Sequence, residues 1–469
     1  MDTRAAGHVA HPPGRAHVPS PLRVALLSVH TSPLHQPGTG DAGGMNVYLV
    51  QLSRALAELG AEVDLFTRCR GEGHPPQVPL APGVRVRHLR AGPRRALPKE
   101  EMPGRLVEFA LALLRAESGR AGRPYDLLHS HYWLSGQVGL LAAAHWRIPL
   151  VHTMHTLARV KNAALAAGDV PEPELRIRGE EQVVGGADRL IANTADEANA
   201  LRGLYGATPV RTDVVRPGVD TLTFCPADGR QAARARLGLP RDAFVPLFVG
   251  RIQPLKAPDV LVRAVAELLR MAPGLRRRLV VPVVGGLSGP GADRPGSLPA
   301  LCSELGVLDA VRFEPAKPQT ELADWYRAAD VLVVPSRSES FGLVALEAQA
   351  CGTPVLAAAV GGLPTAVRDG VTGLLVDGHD PAAYARRLLW FAQRPAAGAQ
   401  LGLAGVRHAR GLSWQSAAAE TLAVYERAAR APRAGRKGGA GTAARPCPVG
   451  RPVLEEQESR GASLARLLV

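Results

Sequence analysis

From residue 23 onward, short apolar runs alternate with longer segments whose apolar residues recur every three or four positions. That rhythm leaves few folds open. RVALLSV (23–29), AEVDLFT (61–67), DLLHSH (126–131), IPLVHTM (148–154) and ADRLIAN (187–193) read as buried strands, with a short one at 213–215. Between them the spacing predicts helices at 45–60, near 103–118, at 134–145, near 173–186 and at 195–204. Strand–helix alternation of this kind makes a parallel sheet with helices on both faces. The pattern pauses at Arg216-Pro217-Gly218-Val219-Asp220, a candidate hinge. It resumes with strands at 245–250, 279–284, 310–313, 330–334, 354–357 and 373–376. The accompanying helices fall at 258–271, 297–305, 319–328, 341–351, 381–394, 397–409 and 413–430. The expected fold is α/β: two Rossmann-like, doubly wound domains, 22–215 and 216–410, facing across a cleft, with a C-terminal helix at 411–430. Ligands of such sheets bind beyond the carboxyl ends of the strands, so the cleft is the expected site.

Residues 1–21 lack the charged start and apolar stretch of a signal peptide and read as a disordered lead-in. Residues 431–469, rich in Arg, Gly, Ala and Pro, read as a disordered basic tail. No apolar run approaches the roughly 18 residues of a membrane span. Five cysteines, odd in number and far apart, signal neither a disulfide framework nor a zinc site, and a reducing cytoplasm is the expected location. A net charge of +14 raises nucleic acid as a partner, but the arginines are scattered and only 4% of residues are aromatic, too few for a base-stacking platform. Neither a nucleic-acid nor a membrane partner is expected. Lysine is rare: Lys99, Lys161, Lys256, Lys317 and Lys437 are the five in the chain. Where Arg is used almost everywhere, a Lys marks a position suited to a compact ammonium.

Three segments carry the chemistry. The loop from His30 to Asn46 runs from the first strand into a helix and holds Gly38, Gly40, Gly43 and Gly44. Glycine lets backbone approach a ligand, and a helix N-terminus favours an anion; a tight turn would explain the same glycines, but the loop is long for that. In Gly250-Arg251-Ile252-Gln253-Pro254-Leu255-Lys256, two cations follow a buried strand, as a diphosphate requires, although a solvated basic loop would look similar. In Ser336-Arg337-Ser338-Glu339-Ser340-Phe341-Gly342-Leu343-Val344-Ala345-Leu346-Glu347, two carboxylates eight residues apart fall roughly on one face and can accept from two sets of hydroxyls. Alone, they could equally be a helix-dipole partner and a surface Glu.

GRIQPLK followed by ESFGLVALEAQACGTPV resembles the retaining glycosyltransferases of the GT-B fold, family 4, with Glu339 and Glu347 matching that family's E-x7-E motif. HTSPLHQPGTGDAGGMNVY, HSHYWLSG, HTMHTLARVKN and PEPELRIRGEEQ narrow the resemblance to the branch that glycosylates inositol phosphate in actinobacterial mycothiol synthesis, over roughly 22–430. The resemblance implies UDP-GlcNAc as donor and 1D-myo-inositol 3-phosphate as acceptor. It places His30, Gln36, Pro37 and Gly44 on the donor from the first domain, and Arg251, Lys256, Lys317, Glu339 and Glu347 from the second. Arg251 and Lys256 would hold the diphosphate, Glu339 the sugar hydroxyls and Glu347 the ribose. The acceptor would meet Asp41, Ala42, Gly43, Gly44, Met45, Asn46, Lys99, Tyr132, Thr156 and Arg176, with Lys99, Tyr132, Thr156 and Arg176 gripping its phosphate. His155 would lie near the transferred sugar, although a core histidine would read the same. With no obvious carboxylate nucleophile, the family implies front-face attack in which the departing phosphate takes the acceptor proton. It also implies a structural Mg2+ near Tyr326, Arg327, Ala329 and Thr353, no cofactor for the chemistry, and leaves a homodimer open. The alternative is another family 4 enzyme, of sucrose-phosphate or phosphatidylinositol mannosyltransferase type. A lipid acceptor calls for a basic, apolar helix, and the helix after Met45 carries only Arg54.

Overall fold

Fourteen strands form two sheets in the computed structural model, which describes residues 21–71, 73–119, 122–165, 170–288 and 296–430. The expected lead-in and basic tail lie outside these residues, except Pro21. The first sheet comprises β1 (Arg23–Ser28), β2 (Glu62–Arg68), β3 (Gln77–Ala81), β4 (Val84–Leu89), β5 (Leu127–His131), β6 (Leu150–Thr153), β7 (Arg189–Ala192) and β8 (Thr212–Val214). Its order is β3-β4-β2-β1-β5-β6-β7-β8. The second comprises β9 (Pro246–Val249), β10 (Val281–Val284), β11 (Val311–Glu314), β12 (Val331–Val334), β13 (Val355–Ala358) and β14 (Gly373–Val376), in the order β11-β10-β9-β12-β13-β14. Every pairing is parallel except β3 with β4. Central strands are buried along nearly their whole length, as helices on both faces demand. β1 and β9 each sit mid-sheet where the strand order reverses, so the loops that follow them open into the crevice.

The β3–β4 hairpin is absent from the sequence reading. β3, at the sheet edge, carries Pro79 and no fully buried position, so nothing announces it; β4 does alternate, as VRVRHL with Val84 and Val86 buried, a period-2 signal that a reading for continuous apolar runs passes over. The helix Arg230–Leu237 escaped for a related reason, since three arginines hide its buried Ala233 and Arg234.

The helix Trp414–Arg430 returns to the first sheet rather than staying with the second. Tyr425 donates to or accepts from His129 Nδ1 on β5 at 2.8 Å, Arg427 pairs with Asp213 on β8, and Trp414 packs edge-on against Tyr48. The crossing therefore has two chain passes, side by side. Val219 N donates to Leu412 O at 2.9 Å, and a Cβ on Gly218 would lie 2.2 Å from Trp414 N. The 216–220 hinge candidate is one half of this double crossing, and Gly218 is what lets the two passes touch.

Candidate functional site

Between the sheets lies one cleft, and its first wall is built by the ends of β1, β5 and β6. After β1 the chain turns through His30, whose ring centroid is 4.5 Å from that of Tyr132. The following loop is stapled by Asn46: its Nδ2 donates to Thr31 Oγ1 at 3.0 Å and Ser32 O at 2.7 Å, and its Oδ1 accepts from Gly43 N at 3.0 Å. β5 runs out into Tyr132 at φ 71, and β6 into His155 at φ 63. A left-handed backbone in a bulky residue costs about 1–3 kcal/mol and persists only where the surroundings over-determine it. That two such residues end neighbouring strands, both lining the cleft, marks this edge as functional.

Lys99 reaches the same place from the turn Lys99–Glu101, its ammonium 4.7 Å from the Tyr132 ring centroid. Arg176 stands against the same ring, 5.1 Å from its centroid, and its Nη2 donates to Thr156 Oγ1 at 2.9 Å. Arg176 is 2% exposed and paired with Glu180 (2.8 Å) and Glu172 (2.7 Å). Lys161, which the sequence reading left without a role, pairs with Glu172. Burial and the neighbouring Arg176, Lys99 and Arg251 push its ammonium down to about 7, a sign of how densely cations gather here.

The second wall follows β9 and β12. Gly250 leads into Arg251 and the turn Pro254–Lys256, where Lys256 Nζ meets Glu339 Oε2 at 2.5 Å. Glu339 is held from behind by Gly361 and Gly362: Gly362 N donates to Glu339 O at 2.9 Å, and a Cβ on Gly361 would lie 2.1 Å from that oxygen. The helix carrying Glu347 spans Leu343–Ala350, two residues later than expected at its start because Gly342 at φ 95 breaks the chain direction. Tyr326 OH donates to Glu347 Oε2 at 2.8 Å. Burial pushes the Glu347 carboxyl up to about 7, against the pull of Tyr326 and Gln319.

The walls meet. Gly286 N donates to Gly38 O at 3.0 Å, Ser288 Oγ to Gly40 O at 2.7 Å, Gln36 Nε2 to Lys317 O at 2.8 Å, and Ser340 Oγ to His155 O. A Cβ on Gly286 would come within 2.7 Å of Gly38 O, so the glycines are required for this closure.

Family-level comparison agrees with this architecture. Residues 43–218 match the family described as glycosyl transferase 4-like domain, and residues 229–405 the family of glycosyl transferases group 1. A D-inositol 3-phosphate glycosyltransferase of Streptomyces scabiei is 62% identical over 405 residues, spanning 86% of this chain and 91% of its own. One from Thermomonospora curvata is 59% identical over 408 residues, spanning 86% and 95%. The chain belongs to the D-inositol 3-phosphate glycosyltransferase family. Among solved structures, the sucrose-phosphate synthase of Thermosynechococcus elongatus shares the fold with a TM-score of 0.79 at 34% identity, over 87% of this chain and 98% of its own. HepE of Anabaena, solved with UDP and glucose, shares it at 0.67 and 19%, over 86% and 99%. The two facing sheets are the GT-B fold.

In this glycosyltransferase, most residues the sequence singled out line the one cleft. His30, Pro37, Asp41, Gly43, Gly44 and Met45 come from the first loop, with Lys99, Tyr132, His155 and Thr156 beside them. Arg251, Lys256, Lys317, Glu339 and Glu347 face them. Four do not line it. Ala42 is buried beneath the loop, Asn46 staples the loop from inside, and Gln36 bridges to the opposite wall. Arg176 lies behind Tyr132 and Thr156 as their support. Tyr48, Ser340 and Phe341 stand inside the quoted motifs without a role of their own, and sequence reasoning missed Asn193 and Gly285. Gly285 left a signal, the paired glycines ending VVGG; Asn193 looks like an ordinary strand-end residue until the fold assembles the cleft.

The expected metal residues sit at the end of the helix Gln319–Ala328. Tyr326 O accepts from Ala329 N and Thr353 Oγ1, the Tyr326 phenol serves Glu347, and Arg327 donates to the carbonyls of Thr223 and Cys225. Among the described residues no three His, Cys, Asp or Glu side chains cluster to hold a metal. Tyr326, Arg327, the Ala329 amide and Thr353 form a hydrogen-bonded corner that secures Glu347; Mg2+ favours carboxylates and water, and the two carboxylates here are already engaged, Glu347 by the Tyr326 phenol and Asp324 by Arg327.

Proposed function

We propose that this chain transfers N-acetylglucosamine from UDP-GlcNAc to 1D-myo-inositol 3-phosphate with retention, an early step of mycothiol synthesis. The observation that carries this reading is the presence of two cationic groups on the two walls of the cleft that His155 also lines: Arg251 and Lys256 on one wall, Lys99 on the other, with Arg176 against Tyr132. A donor diphosphate suits the first and an acceptor phosphate the second. The names of the relatives supply the acceptor, and the UDP found with HepE supports the nucleotide. In the reaction, the bond from the sugar anomeric carbon to the diphosphate oxygen breaks and the bond to the inositol oxygen forms on the same face. The acceptor proton passes to the departing phosphate oxygen, whose charge Arg251 and Lys256 stabilise. Closure of the walls excludes water that would otherwise hydrolyse the donor.

The direct test incubates purified protein with UDP-GlcNAc and a panel of acceptors and measures UDP. Inositol 3-phosphate should be strongly preferred over inositol; equal rates would refute the acceptor assignment. Lys99→Ala should raise the acceptor KM by about 10–100-fold, the scale of a lost charged hydrogen bond, with the donor KM little changed. Lys99 stands in a surface turn, so stability should move by no more than about 0.5 kcal/mol.

Glu347 yields a proton-linked prediction. If ribose hydroxyls donate to it, they favour its charged form, so nucleotide binding releases a proton below about pH 7. UDP affinity should then rise from pH 6 to pH 8, by up to about tenfold. Calorimetry on Glu347→Gln should show that slope gone; an unchanged slope would remove Glu347 from the ribose site. A structural Mg2+ at the Tyr326 corner would show itself as an EDTA-sensitive melting temperature with the chemistry intact. A homodimer and a cytoplasmic location belong to the same proposal. No described helix is long and apolar enough to cross a membrane.

A further inference from the structure

Four histidines crowd the carboxyl edge of the first sheet: His129 and His131 on β5, His152 on β6, and His155 just beyond it. Burial holds all four rings below their usual range, His155 down to about 3. Each is therefore neutral at pH 7, with one N–H and one lone pair, and its hydrogen bonds decide which nitrogen carries which. His131 Nδ1 lies 3.0 Å from His155 Nε2, so one of these nitrogens donates and the other accepts.

The far side of His131 decides the direction. Its Nε2 is buried without a hydrogen-bond partner among the described residues. His129 stacks on the ring at 4.1 Å between centroids and Tyr48 closes in at 5.8 Å. His129 has nothing to offer, because its own nitrogens are taken by Tyr425 OH at 2.8 Å and Thr153 Oγ1 at 2.9 Å. A buried N–H left without an acceptor is rarer in proteins than a buried acceptor left without a donor. The lone pair of His131 thus falls on Nε2 and its proton on Nδ1, which donates to His155 Nε2. The proton of His155 is then on Nδ1, a nitrogen that bonds to no described residue on a side chain that lines the cleft.

We propose that His131 is a positioning residue that locks His155 in the Nδ1–H tautomer, so that His155 faces the transferred sugar as a neutral hydrogen-bond donor and not as a proton acceptor. The role of the sugar rests on the function proposed above; the tautomer does not. The same bond fixes the ring of a residue whose backbone is itself left-handed. With His155 unable to take a proton on its cleft side, the acceptor proton is left to the departing phosphate.

Wild-type protein labelled with 15N in histidine reads the tautomers without any variant having to fold. Long-range nitrogen–proton correlation, with UDP bound, should show a pyrrole-type Nδ1 and a pyridine-type Nε2 in both His131 and His155. A proton on Nε2 of either ring overturns the proposal. Kinetics supply the second arm. His131→Asn keeps an amide N–H near the place of Nδ1, and His131→Leu does not. The Leu variant should lose about 10–100-fold in kcat, the scale of a misoriented contact, with donor KM and UDP affinity close to wild type. The Asn variant should stay within about threefold of wild type. Equal losses in the two, with UDP affinity intact, overturn the positioning role, as does wild-type kcat in the Leu variant. Both rings in the expected tautomer in a protein that does not use UDP-GlcNAc would sink the donor assignment and leave the histidine pair standing.

Discussion

Lys256→Ala is expected to lower kcat/KM by at least about a hundredfold, the scale for removing one group aimed at developing charge. The ammonium faces the cleft from a turn just past β9 and is placed, with Arg251, to receive the diphosphate. Its loss also releases Glu339, which Lys256 holds at 2.5 Å. Both effects fall on the transition state, so kcat should fall more than KM rises. The fold should be nearly unaffected, because the pair is partly exposed and such ion pairs contribute at most about 1 kcal/mol. A melting temperature close to wild type with kcat/KM down by at least about a hundredfold is the expected result; wild-type turnover would remove Lys256 from the donor site.

Arg176→Ala should have the opposite signature, a large loss of stability. Arg176 and Glu180 are 2% and 0% exposed as side chains, and deleting one partner leaves a buried carboxylate without its counter-charge. The expected cost is about 3–5 kcal/mol. For a domain of this size that is a fall of about 6–20 °C in the melting transition, measurable by calorimetry. The sequence reading put Arg176 on the acceptor phosphate directly. The structure makes it the buttress of Tyr132 and Thr156, so its loss should disturb acceptor binding through them, and Lys99 is the cleaner probe of the phosphate. A variant as stable as wild type with only the acceptor KM raised would restore the direct contact.

Arg176 shows where legibility ended. Its segment, PEPELRIRGEEQ, displays several arginines and glutamates at helical spacing. Nothing in that spacing tells that Arg178 and Glu174 face water while Arg176 and Glu180 turn inward, because the choice depends on where β6 and Tyr132 lie. The HSH and HTMHT runs were visible as histidines. That His131 meets His155, while His129 is captured by Tyr425 some 296 residues away, needed the strand register and the returning C-terminal helix.

What the sequence determined by itself was the alternation that imposes parallel sheets, the glycine-bearing loops after their strands, and the rare lysines. Each is a local consequence of chain geometry or side-chain chemistry: apolar runs must be covered, glycine alone permits close backbone approach, and a compact ammonium differs from a guanidinium wherever it stands. Lys99, Lys256 and Lys317 line the cleft, and Lys161 pairs with Glu172. Tertiary structure decided what depends on distant partners: the second chain pass at Leu412–Trp414, the Gly286–Gly38 closure, and the division of cleft residues into those that face a ligand and those that brace them. The first two are set by hydrogen bonds between segments far apart in the chain, and the third by burial: Arg176 and Glu180 stand at ordinary helical spacing, and only the packing of their helix decides that this pair turns inward while Arg178 and Glu174 do not.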